Sequence, residues 1–81
     1  MEGYLGEIRL FAGNFVPLYW AKCQGQLLSI ADNAPLFNIL GTSYGGDGQA
    51  TFALPNLPGP LPGAPLSYII CVTGIYPSAP S

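Results

Sequence analysis

Five of the eleven residues from Pro55 to Pro65 are proline, and no other feature limits the fold as strongly. Proline fixes φ and donates no hydrogen bond, so this stretch can be neither a helix interior nor a central strand. It must be extended or polyproline-like, a connection able to span about 30 Å without sheet bonds. The chain therefore reads as a body over residues 1–57, a Pro/Gly-rich bridge over 58–65, and a last strand with its tail over 66–81, all within one domain. With 81 residues, 11 glycines and 9 prolines, the core has to be thin, and chains this small often lean on a disulfide, a metal or neighbouring subunits.

Strand and helix signals fill the body. The alternation in Glu7-Ile8-Arg9-Leu10-Phe11-Ala12 predicts a half-buried strand with Ile8, Leu10 and Ala12 on one face. A second strand, Leu18–Cys23, followed by Gln24-Gly25 and a return through Gln26–Ile30, reads as a hairpin. Asp32 or Asn33 can cap a short helix that has Pro35 in its first turn, Leu36, Ile39 and Leu40 at i, i+3 and i+4, and Gly41 as its stop. Thr51–Leu54 is a short extended piece ended by Pro55, and Ser67–Gly74 is a strand apolar on both faces. The expected class is mainly β with one short helix, a small α+β module. The tail, Pro77–Ser81, cannot pack a core of its own.

Charge then narrows function. The six charged residues all lie within the first 47 positions, and residues 48–81 carry none. A free surface is normally about a quarter to a third charged, so an uncharged C-terminal segment points to a subunit covered by its own copies; a secreted, loop-rich domain with neutral polar groups is the alternative. Arg9 and Lys22 are the whole basic complement, which argues against nucleic-acid binding. Without histidine and with two cysteines, neither a Cys₄ nor a Cys₂His₂ zinc set can form within one chain. No apolar run suits a membrane span, and Met1-Glu2-Gly3-Tyr4 lacks the basic start of a secretory signal.

Chemistry-bearing constellations are sparse. The four carboxylates are scattered, no histidine can shuttle a proton, and Cys23 has only Lys22 beside it, so no enzyme activity and no cofactor are expected. Thr42–Gly48 is glycine-rich but lacks the Lys-Ser/Thr pair of a phosphate loop, and Asp47 alone is too little for calcium. Asn14, Asn33, Asn38 and Asn56 all fail the N-glycosylation rule, whereas Thr42, Ser43 and the Pro/Ser tail would admit O-linked sugar. Tyr19, Trp20 and Tyr44 could form a flat platform for a cell-surface glycan; the competing reading makes Trp20 the central packing residue of a thin core. Linking Cys23 to Cys71 would close a loop of about 48 residues, worth roughly 4 kcal/mol in the chain-constraint model.

Three ordered blocks carry a family resemblance. They are Gly6–Phe15 with Trp20–Leu28, then Leu36–Gln49 with Thr51–Leu57, then Tyr68–Ser78. The first two resemble the phage tail collar domain, and the third is similar to the C-terminal strand of bacterial members often labelled microcystin-dependent proteins. The resemblance implies a β-rich structural module of tail fibres, tail tips or related extracellular appendages, commonly a homo-oligomer. The chain departs from the family after Leu57, where Pro58–Pro65 stands in place of Arg-Gly-Arg and a long insertion. Receptor-binding or zinc-binding histidines therefore do not carry over. The expected role is a subunit of an extracellular fibre or virion tail, with a glycan- or receptor-binding adhesin module as the alternative. The last strand is the expected meeting point of copies, through Tyr68, Ile69, Ile70, Val72, Ile75 and Tyr76, either sandwiched between neighbours or added to a neighbour's sheet; the competing reading keeps the strand wholly inside its own monomer.

Overall fold

A computed structural model describes residues 2–78. In chain order the elements are β1 (Ile8–Ala12), β2 (Trp20–Lys22), β3 (Leu27–Ser29), α1 (Ala34–Leu40), β4 (Thr51–Ala53) and β5 (Leu66–Cys71). They form two antiparallel sheets, a three-stranded one in the order β1-β5-β2 and a two-stranded one of β3 with β4. The fold is mainly β with one short helix, as the sequence predicts.

The hairpin expected over residues 18–30 does not form. β5 lies between β1 and β2, with Ile70 opposite both Ile8 and Ala21, while β3 turns away to pair Leu28 with Phe52. A strand with apolar residues on both faces gains most from a central position, so β5 takes the place next to β2 that a local hairpin would give to β3. β1 and β2 consequently run parallel to each other, and the connection 13–19 crosses β5. The edge-on contact of Phe15 with Phe11, 5.3 Å between ring centroids, sets this crossover on the Trp20 face of the sheet.

Two apolar clusters sit on opposite faces of that sheet. On one face Leu5, Cys23, Leu36, Phe52, Leu54 and Ile70 are buried together; on the other, Trp20, Ile69 and Cys71 pack with Phe11. The alternation in β1 is real, but the face with Ile8, Leu10 and Ala12 is exposed, because β1 overhangs the core at the sheet margin. Helix α1 starts with Pro35 in its first turn and buries Leu36, with Phe37 and Leu40 against the core. Ile39, expected on the core stripe, is partly exposed. Asn33 occupies the cap position without a side-chain cap; its amide donates to the Ser29 carbonyl instead, at 3.0 Å. The proline bridge does not reach outward. It folds back through a turn in which the Ala64 N–H donates to the Leu61 carbonyl at 3.2 Å, and it returns β5 to its own body.

The loop before β4 is organised by one carboxylate. Asp47 Oδ1 accepts the backbone N–H groups of Gln49, Ala50 and Thr51 at 2.9, 2.9 and 3.0 Å. These donors hold its pKa down to about 2. A carboxyl whose folded pKa is depressed contributes stability that is fully present above its unfolded value of about 3.9 and is lost as pH falls through the folded value. Asp47→Asn keeps an acceptor oxygen but removes the charge. The gap in thermal midpoint between wild type and this variant is therefore expected to be widest above pH 4 and to close as pH approaches 2. A gap unchanged between pH 5 and pH 2 would show that the charge does not organise the loop.

Candidate functional site

An exposed apolar surface lies where the two ends of the described chain meet. After β5 the backbone turns back, and the Leu5 N–H donates to the Ile75 carbonyl at 2.8 Å while the Ile75 N–H donates to Gly3 at 3.2 Å. Tyr4 and Ile75 form a parallel bridge. This seam buries Leu5 in the core and turns Tyr4, Ile75 and Tyr76 outward, each more than half exposed. Two shallow clefts flank it. One, of about 400 Å³, is lined by Tyr4, Ile75, Tyr76, Pro77 and Ser78; the other, of about 300 Å³, runs between Tyr19 and Ile75 past Glu2 and Thr73.

Tyr19 is the one described non-glycine residue with positive φ, at 73°, a costly conformation for a bulky side chain. It is held there from behind, since its carbonyl accepts the N–H groups of Val72 and Thr73 at 2.9 and 3.3 Å. The ring stays exposed beside Ile75. The crossover 13–19 also presents Phe15 and Leu18, both mostly exposed. No signal in the strand periodicity marked these residues, but the apolar run Phe15-Val16-Pro17-Leu18-Tyr19 in a connector is itself such a signal.

Polar chemistry is spent locally. Arg9 Nε donates to Glu7 Oε2 at 2.6 Å, the sole ion pair among the described residues. That bond, with the Tyr4 N–H donating to the same carboxylate, lowers the Glu7 pKa, and Glu7 in turn raises that of Arg9. The guanidinium also lies 5.2 Å from the Trp20 ring centroid. Asp47 is engaged by its own loop, and among the described residues no three of His, Cys, Asp or Glu gather as metal ligands. What the surface offers is apolar contact area.

A family model described as Phage Tail Collar Domain matches residues 6–62. The chain belongs to this family. The matched span takes in β1 to β4 and α1 and stops short of β5. Comparison with curated proteins and with solved structures gave no match. The collar domain is a structural module of phage tails, and membership points to a structural role in a tail fibre. No described helix is long and apolar enough to cross a membrane.

Within this collar domain the residues singled out from sequence part company. Ile69 and Ile70 do not face a neighbour; both are buried in the chain's own core, at 1% and 0% exposure. Addition of β5 to another subunit's sheet is likewise closed, because both its edges are taken by β1 and β2. Tyr68 and Val72 are half-buried against the core, and Ile75 and Tyr76 are at the surface. Cys23 and Cys71 are buried free thiols. Trp20 pairs with Cys71 and Lys22 with Ile69, so Cys23 and Cys71 fall on opposite faces and three ladder positions apart, roughly 10 Å along the strand and beyond disulfide reach. Burial pushes both thiols' pKa up. The aromatic trio fails as a flat platform: Tyr19 and Tyr44 are exposed, but the Trp20 ring is packed among Phe11, Ile69 and Cys71.

Proposed function

We propose that the protein is a structural subunit that assembles with copies of itself into an extracellular fibre, filament or tail-like appendage. The observation that carries this reading is the balance of apolar surface. Among the described residues, fourteen large hydrophobic ones are exposed against ten hydrophobic ones buried, on a chain with only six charges to keep it dispersed. Scattered exposed leucines are ordinary on any monomer, whereas contiguous apolar patches mark interaction sites. Tyr4, Tyr19, Ile75 and Tyr76 are contiguous, since the two clefts that they line share Ile75. Tyr68 and Val72 are half-buried against the core and line neither cleft. Trp20's burial leaves no comparable support for the adhesin alternative.

Sedimentation and negative-stain imaging of the purified chain test the proposal. Wild type is expected as large assemblies, and the double variant Ile75→Asp with Tyr76→Asp as dispersed, folded species no larger than a dimer. A wild-type chain that sediments as a soluble monomer at micromolar concentration overturns the reading.

A further inference from the structure

β1 is the longest open sheet edge among the described residues, and its pattern of bonds fixes which of its groups face outward. The Cys71 N–H donates to the Glu7 carbonyl at 2.9 Å, and the Gly13 N–H to the Pro65 carbonyl at 3.0 Å. Antiparallel strands alternate in this respect, so odd-numbered residues of β1 bond to β5. Ile8, Leu10 and Ala12 turn their N–H and C=O groups away from it. No turn, loop or side-chain bond reaches those groups. The side chains of the same three residues are exposed, Ile8 at 39% and Leu10 at 49%.

Natural sheets blunt such an edge with lysine, proline, a bulge or an inward charge. β1 has no proline and no bulge in its register with β5. Its one charge, Arg9, is tied to Glu7 and lies over Trp20 on the opposite face from Ile8 and Leu10. The other margins are less open. β2 and β3 are three residues long, and β4 already receives a bond on its outer side, from the Ala53 N–H to the Gly45 carbonyl.

We propose that β1 pairs antiparallel with β1 of a second copy of this chain, Leu10 against Leu10 across a twofold axis, joining the two sheets into one. This rests on the reading that the chain assembles with its own copies, and it names the contact that sets their register. This alignment alone pairs all three outward-facing residues with one another. Ile8 meets Ala12 and Leu10 meets Leu10 as pairs that exchange both backbone hydrogen bonds, and all three side chains lie on one apolar face. Arg9 then stands opposite Phe11. A shift in one direction sets Arg9 directly against Arg9, which like charge disfavours. The opposite shift sets Phe11 against Phe11 and leaves Ile8 opposite Asn14, beyond the end of the strand.

Oxidative cross-linking of full-length variants tests this pairing. Directly opposed residues have Cα atoms about 5.5 Å apart, within disulfide reach. In the same register the two position-8 residues are four places apart along the strand, roughly 13 Å. Leu10→Cys is expected to give a covalent dimer on a non-reducing gel and Ile8→Cys to give none, with the buried native thiols silent in both. Leu10→Lys, at an exposed site, is expected to fold normally and to sediment as smaller species. If wild type assembles but Leu10→Cys cross-links no better than Ile8→Cys, the edge pairing is overturned while self-assembly stands. If wild type stays monomeric and neither variant cross-links, both readings fail.

Discussion

Replacing Ile70 with aspartate is expected to leave the chain unfolded, with far-UV circular dichroism of a coil and collapsed amide dispersion in NMR. Ile70 has no exposed surface and sits at the centre of β5, between Ile8 and Ala21 and against Leu5, Leu36, Phe52 and Leu54. No polar or charged residue is buried among those described, so a carboxylate there would find no partner. Burying an unpaired charge costs several kcal/mol even after relaxation. At about 0.05–0.15 kcal/mol per residue, a chain of this size has only some 4–12 kcal/mol to lose. Ile75→Asp, on the exposed side of the seam, is expected within about 0.5 kcal/mol of wild type by the same reasoning. A folded Ile70→Asp chain would mean that β5 is not the central strand. The contrast separates the two roles that the sequence assigned together to residues 68–76: the first half of that segment holds the domain, and the second half faces out of it.

That division was not legible in the sequence, and the reason is register. The existence of β1, β4, β5 and α1 follows from local signals: alternation in Glu7–Ala12, the stop at Pro55, the apolar run Tyr68–Val72, and Pro35 and Gly41 around Leu36. Pairing partners are set by which arrangement buries most apolar surface, and that sum runs over distant segments. Gln24-Gly25 looks like a hairpin turn on its own, yet Cys23 and Gly25 bond forward to the stretch around Pro55 and Leu57. The same blindness affects faces. Alternation showed that Ile8, Leu10 and Ala12 share a side but not that β1 hangs past the core, and the parity that divides Cys23 from Cys71 exists only once β2 is paired with β5. The candidate surface was half visible: Ile75 and Tyr76 were named from the last strand, whereas Tyr4 joins them only through a bridge that spans most of the chain.

Gly46→Ala is expected to cost about 2–4 kcal/mol, more than Gly41→Ala, although both glycines have positive φ. At Gly41, with φ 57° and ψ −145°, an added Cβ would meet nothing within 4 Å, so only the conformational penalty applies, about 1–3 kcal/mol. At Gly46, with φ 93°, the Cβ would press on the Phe52 Cα and lie 2.6 Å from the Thr51 carbonyl oxygen and 2.8 Å from the Phe52 nitrogen. All three atoms are backbone of β4, so no side-chain rotation relieves the clash. β4 cannot shift alone, because the Phe52 ring is fully buried and packs on Phe37 at 5.4 Å between centroids. The Asp47 turn fixes the loop from the other side through its bonds to residues 49–51. Strain at Gly46 is therefore passed into the core cluster, and denaturant midpoints of the two variants measure how much. Equal midpoints would show that the loop and β4 are not in close contact, and the tight approach of residues 45–52 would then have no part in holding Phe52 in place.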